Sequence, residues 1–511
     1  MSARLACIAL LYAVCAPAAP VLHTDYGPVA GLQTAAGLHF PAVPYAADTR
    51  PHRFQAPQPP APWTEPRVGV PTVCPQPPEV SPPAGVAMSE DCLQLNVWTP
   101  ALDQRARPVL VYFHGGGYRY GSVSESLYDG AALSARGDVV VITVNHRING
   151  FGYLHLADLS DDPRWADSGN AGMLDLILAL RWVRAHARRI GGDPDRVTVF
   201  GQSGGGAKCA TLMAMPAAAG LFQRVWTMSG QQVTARRRSA ATATASEVLA
   251  RLQLSPEQLD ALDTLPLARL RAAFADATWA PVLDGVQLPR DPFEPTAPAQ
   301  SRALPMVLGN TLDETTSLIG PSDPETFELD WPRLAAKLDQ HVRNFLGPLD
   351  TADVIARYRR WYPKASASQV FFAISTAARS WRGLLIEAKR RAEQGAPTWV
   401  YYLHWRTPVD GGRWGAPHTL DIPLVFGTLQ HSRYTDGIEA AAAVSATLMD
   451  ALLAFARTGD PNHAGLPAWP RYTLPARPAL IVDARPQVQH DPRGRERRLY
   501  AALPYVQPGT W

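Results

Sequence analysis

Arg196-Val-Thr-Val-Phe-Gly-Gln-Ser-Gly-Gly-Gly-Ala207 is the stretch whose reading decides the fold. Val197 to Phe200 is a short β-branched and aromatic run, which reads as a buried strand. It ends in Gly201-Gln-Ser203-Gly-Gly205, and Ala207 to Met213 reads as a helix. A serine between glycines on a tight strand-to-helix turn is the pattern of a nucleophile elbow. The reason is steric. The backbones approach closely there, so the flanking positions need residues without a Cβ. The turn then holds a hydroxyl clear of the sheet, at the positive end of a helix. The bare Gly-x-Ser-x-Gly pattern is common; the strand before it and the helix after it give it weight.

The rest of the chain supplies what such a serine needs. A hydroxyl is a weak nucleophile without a base, and the base needs an orienting acid. The oxyanion needs donors. His114-Gly-Gly-Gly-Tyr118 follows the apolar run Pro108–Phe113, and its glycines leave backbone N–H groups free to face a site. A phosphate-cradling loop is the rival reading, and it is weak here because no Gly-Lys-Ser/Thr follows. His418 lies late in the chain, within Gly415-Ala-Pro-His-Thr-Leu-Asp421. Glu314 closes Gly309-Asn-Thr-Leu-Asp-Glu314, just past an apolar segment, with Asp313 as a neighbour that could be mistaken for it. The order Ser…acid…His matches one of the known triad orders.

Around these positions, continuous apolar runs recur at 108–113, 139–144, 225–229, 306–309 and 398–403. They alternate with helical patterns at 170–187 and 440–457, which predicts a mostly parallel mixed sheet covered on both faces. Asp25–Val29, Gly37–Tyr45 and Leu93–Trp98 read as early strands, and Leu480–Val482 as the strand that closes the sheet. From Thr234 to Phe274 the pattern is helical, with Ser255-Pro-Glu-Gln258 as a helix start, and this reads as an inserted layer.

The chain has 511 residues, 46% hydrophobic and 18% charged, with a net charge of +3. That is enough apolar material for one large core, and too little positive charge for a nucleic-acid surface. Residues 1–19 combine Arg4, the apolar run Leu5–Cys15 and small residues, the pattern of a secretory leader. Residues 20–511 would then be the mature domain, secreted or periplasmic. No other segment reads as long and apolar enough to cross a bilayer, so no stable membrane anchor is expected. Of the five cysteines, Cys74 and Cys92 bracket a Pro-rich loop and are expected to pair. By the loop-entropy model such a bond contributes about 3 kcal/mol. Cys209 reads as a buried free thiol.

Taken together, these blocks resemble the type-B carboxylesterases, the α/β-hydrolase family that includes bacterial p-nitrobenzyl esterases, mammalian carboxylesterases and cholinesterases. The resemblance also rests on Ser89-Glu-Asp-Cys-Leu-Gln-Leu-Asn-Val97, Gly169–Asp175, Gly191–Val197, Pro281–Gly285 and Phe455–Asn462, and it spans nearly the whole mature chain. It implies Ser203 as nucleophile, His418 as base and then acid, and Glu314 as the orienting carboxylate. It places the oxyanion donors on the N–H groups of Gly116, Gly117 and Gly204, and a supporting serine at Ser229. It implies Arg53–Glu90 and Arg147–Asp175 as structural ion pairs. It implies a small-molecule ester as substrate, water as acyl acceptor, and no metal or cofactor. Amide, carbamate or thioester hydrolysis by the same groups is the alternative chemistry, and a non-catalytic binding role is disfavoured by the intact triad positions.

Two residues depart from the family pattern. Gln202 stands where Glu is common, and Gly204 where Ala is common. A carboxylate at 202 would favour imidazolium, so with Gln202 the proton-accepting form of His418 should persist to lower pH. The cholinesterase branch carries a choline-binding tryptophan in its disulfide loop. Here residues 75–91 contain no aromatic residue, and Tyr118 and Tyr120 are expected to line the site instead.

Overall fold

The computed structural model describes residues 19–509. The expected leader therefore lies outside them, apart from Ala19. An 11-stranded mixed sheet organises the chain. Its strands are β1 (Leu32–Thr34), β2 (Gly37–Pro44), β3 (Gln94–Thr99), β4 (Arg107–Phe113), β5 (Val140–Val144) and β6 (Gly192–Gln202). They continue as β7 (Arg224–Met228), β8 (Met306–Thr311), β9 (Thr398–Leu403), β10 (Pro478–Val482) and β11 (Gln487–His490). The order across the sheet is β11-β10-β9-β8-β7-β6-β4-β5-β3-β2-β1. From β5 to β10 all neighbours are parallel. The two ends are antiparallel.

The central strands are mostly apolar because both their faces are covered. Every residue of β4, β5, β8 and β9 is buried. Side chains alternate between two cores. Val109, Val111 and Phe113 of β4 join one, with helix α1 (Ala171–His186). Leu110 and Tyr112 join the other, with Trp226, Trp399 and the long helix Glu439–Thr458. A third core gathers the helices Trp331–Leu346, Thr351–Trp361 and Ala367–Thr376 beyond the carboxyl end of β8. The inserted layer consists of the helix Arg238–Leu252, a 3₁₀ segment Pro256–Asp263 and the helix Leu267–Phe274. Ser255 and Gln258 form the capping box that starts its middle piece.

Three expectations are corrected. Leu480–Val482 does not close the sheet: β11 pairs antiparallel outside it. Gln487-Val-Gln-His490 is polar and largely exposed, which suits an edge strand and hides it from an apolar reading. Asp25–Val29 is not one strand. Val21–His23 and Pro28–Ala30 pair around a turn in which Thr24 accepts from Gly27 N–H through its side chain and donates to Gly27 O. Finally, Glu439–Thr458 is long and apolar enough to cross a membrane by composition. Its apolar side, including Val444, Leu448, Leu452 and Phe455, is buried in the second core, which accounts for that composition.

Both implied ion pairs form and are buried. Arg53 grips Glu90 with Nη2 at 2.6 Å and Nε at 2.8 Å, and its Nη1 donates to Leu262 O and Leu265 O. This ties the inserted layer to the Cys74–Cys92 disulfide loop, which is closed as expected. Arg147 holds Asp175 at 2.6 and 2.9 Å, fixing the start of α1. Bidentate guanidinium–carboxylate geometry is what makes such buried charges tolerable. Cys209 is a buried free thiol.

Candidate active site

Ser203 sits between β6 and helix α2 (Gly204–Leu212) with φ +55° and ψ −126°. A side-chain residue at such a φ is strained by about 1–3 kcal/mol, and surrounding contacts must enforce it. The enforcing contacts are backbone on backbone. A Cβ on Gly201 would strike Gly205, and a Cβ on Gly205 would strike the Phe113 carbonyl. Ser203 N donates to Met228 O at 2.8 Å, pinning the turn to β7.

Glu314 follows β8 by three residues and is fully buried. Its Oε1 accepts from Ser229 Oγ at 2.6 Å, Asn310 Nδ2 at 2.8 Å and Thr311 N at 2.8 Å. Its Oε2 is hydrogen-bonded to His418 Nδ1. Burial alone would raise the carboxyl pKa; the imidazole and the Ser229 and Asn310 donors outweigh it and hold the group below the ordinary range. Ser229 is thus brought to the site, on the carboxylate. Asp313 faces elsewhere. Its N–H donates to Ala416 O, and its Oδ2 accepts from Ala416 N at 3.0 Å. It docks the histidine loop, and burial raises its pKa.

Ser203 and His418 line one cavity of about 370 Å³, together with Gly116, Gly117, Gly204 and Ser229. Among the described residues no hydrogen bond joins Ser203 Oγ to the imidazole. His418 Nε2 lies instead 3.2 Å from Gln202 Nε2. Catalytic hydrogen bonds of this kind are often long without substrate and tighten when it binds. A Gln202→Glu exchange would face the ring with an acceptor in place of a donor and stabilise imidazolium. The acidic limb of the kcat/KM profile should then move to higher pH by about one unit. Rates on p-nitrophenyl acetate between pH 4 and 8 check this, and an unmoved limb refutes it.

The glycine loop reaches the elbow through left-handed turns, with φ +80° at Gly116 and +64° at Gly117. Among the described residues, no acceptor takes the N–H groups of Gly116, Gly117 or Gly204. The missing Cβ at 204 has a structural reason: an added one would collide with the backbone of Gly117. A buried lysine escaped the sequence reading altogether. Lys208, fully buried on α2, donates through Nζ to Gly117 O at 2.9 Å and His114 O at 3.1 Å. It also lies 5.2 Å from the Tyr118 ring. Burial pulls its pKa down to about 7. The only sequence signal was a charged residue inside an apolar helix.

Tyr118 and Tyr120 both line the cavity, as expected, with Tyr120 44% exposed at its mouth. The inserted layer contributes Ala277 to Trp279 just after its last helix. Phe371, Phe372 and Trp381 are packed in the third core. Arg379 and Ser380 reach the cavity from the turn just before Trp381.

Comparison with known proteins places the molecule. The model of the Carboxylesterase family matches residues 18–499. The chain is 34% identical over 507 residues to the para-nitrobenzyl esterase of Bacillus subtilis, covering 94% of this chain and 98% of that one. It is 29% identical to human cocaine esterase, over 87% of this chain and 83% of that one. A carboxylesterase crystal structure from Geobacillus stearothermophilus superposes with a TM-score of 0.82 at 35% identity, covering 94% of this chain and 99% of the other. The sheet, the serine turn and these likenesses agree: the chain belongs to the carboxylesterase family of α/β-hydrolases and is a carboxylic ester hydrolase.

Proposed function

We propose that this esterase works through an acyl-enzyme on Ser203, with His418 as base and then acid and Glu314 as its orienting carboxylate. The observation that carries this reading is one cavity lined by both the strained Ser203 turn and the His418 imidazole, the imidazole being hydrogen-bonded to a buried carboxylate held by three donors. Ser203 Oγ attacks the ester carbonyl as His418 takes its proton. The N–H groups of Gly116, Gly117 and Gly204 receive the oxyanion, and α2 adds its positive end. The alcohol leaves with the proton from His418. Water, deprotonated by the same imidazole, then releases the acid. Export to an oxidising compartment belongs to this reading, supported by the Cys74–Cys92 disulfide.

The acyl-enzyme makes a direct prediction. An organophosphonate with a p-nitrophenyl leaving group should inactivate the protein with one equivalent of nitrophenol released. Peptide mass mapping should find the adduct on Ser203. An adduct on another residue, with activity lost in parallel, would overturn the assignment.

A further inference from the structure

We infer that the preferred substrates of this enzyme are esters bearing a free carboxylate, and that Arg379 is the side chain that receives it. The inference rests on the proposed reading of the Ser203 cavity. Arg379 lies on a single π-helical turn, Ala377–Trp381, wedged between the helices Ala367–Thr376 and Arg382–Glu393. Such turns interrupt regular helix at a cost and recur at functional sites. Here the turn delivers the guanidinium to the wall of the cavity that also holds Ser203, His418 and the glycine loop.

This arginine lacks what its neighbours have. Among the described residues it joins no ion pair, and its one hydrogen bond is a long contact of 3.4 Å to Ser380 Oγ. Arg382 donates to the carbonyls of Leu503 and Pro504. Arg390 pairs with Glu294 and Glu393, and Arg391 donates to Ser301 O. Arg119, the other cation on the cavity wall, pairs with Glu79 and donates to Ala275 O. Arg379 is partly buried, and that burial pulls its pKa below the usual arginine value. A guanidinium with five donors, partly out of water and with one long hydrogen bond, is costly to keep.

Among the described residues the cavity wall supplies no carboxylate counter-ion. Glu314 stands behind His418 with both its oxygens engaged. An incoming carboxylate would give Arg379 a planar, bidentate partner, which is the geometry guanidinium favours over ammonium. The same charge would repel cationic esters, so it selects in both directions. The rival role for Arg379 is structural: its charge would steady the Glu314 carboxylate from a distance. That role would act on every substrate alike.

The test is a ratio within each protein, so a partly inactive preparation cancels out. The full chain would be assayed on two matched pairs at low ionic strength. In the first, mono-4-nitrophenyl glutarate is compared with 4-nitrophenyl 5-methylhexanoate, in which isopropyl replaces the carboxylate. In the second, 4-acetoxybenzoate is compared with its methyl ester. The pairs place the anion on the acyl side and on the alcohol side. In Arg379→Gln the anionic-to-neutral ratio of kcat/KM should fall about tenfold or more for one pair, as loss of a charged hydrogen-bonded contact implies. Arg379→Lys, which keeps the charge but not the planar fork, should retain only part of that ratio. A smaller fall for both pairs, including an equal loss on anionic and neutral esters, would overturn the inference. Wild-type turnover of the neutral esters and its dependence on Ser203 report separately on the underlying catalytic reading.

Discussion

Replacing Ser203 with alanine is expected to lower kcat on p-nitrophenyl acetate by about 10⁴- to 10⁶-fold while leaving the fold intact. The size of the effect follows from the mechanism: without the oxygen there is no acyl-enzyme, and only substrate binding and the oxyanion donors remain to speed attack by water. The small structural effect follows from the geometry. Among the described residues the hydroxyl makes no hydrogen bond, and the strained backbone is enforced by glycine contacts that alanine at 203 leaves untouched. The melting temperature should therefore shift by no more than about 2 °C, in line with a change below 0.5–1 kcal/mol. Phosphonate labelling should disappear together with turnover. Retention of even a hundredth of wild-type kcat would mean that another group is the nucleophile.

How much of this was legible beforehand differs from part to part, for physical reasons. The elbow was readable because its steric demand is written locally: glycines must flank the serine, and strand and helix must adjoin it. The buried parallel strands were readable because two covered faces demand uninterrupted apolar runs. β11 was not, since an exposed edge strand lacks that signature. Glu314 could be separated from Asp313 only through the family resemblance. Both follow β8, and what distinguishes them is which one the loop of residues 415–418 turns toward the imidazole and which one it docks on. Lys208 and Arg379 were illegible for a related reason. The carbonyls that Lys208 serves lie some 90 residues earlier in the chain. Arg379 depends on one irregular turn within a long helical stretch, and helical periodicity gives no sign of a π turn.

That distinction between two adjacent acids leads to the second large effect. Glu314→Gln should lower kcat at neutral pH by about 10⁴-fold, whereas Asp313→Asn should stay within about tenfold of wild type. In the Gln variant the side-chain oxygen can still accept from Ser229, Asn310 and Thr311, so the packing survives. The amide nitrogen would then face His418 Nδ1 as a donor. The ring must present a lone pair there and carry its proton on Nε2, the nitrogen that has to receive the serine proton. The base is held in the wrong tautomer, and no carboxylate remains to stabilise the imidazolium formed in the transition state. Asn at 313 meets no such conflict. Its task is to accept from Ala416 N, and an amide oxygen performs it as a carboxylate does. The charge lost weakens only a 3.5 Å contact to the exposed Arg406 guanidinium, away from the imidazole. Single-turnover acylation rates on p-nitrophenyl acetate measure both variants at the step where His418 first acts. Equal losses at 313 and 314 would show that the histidine loop's position, and not the tautomer set by Glu314, limits catalysis.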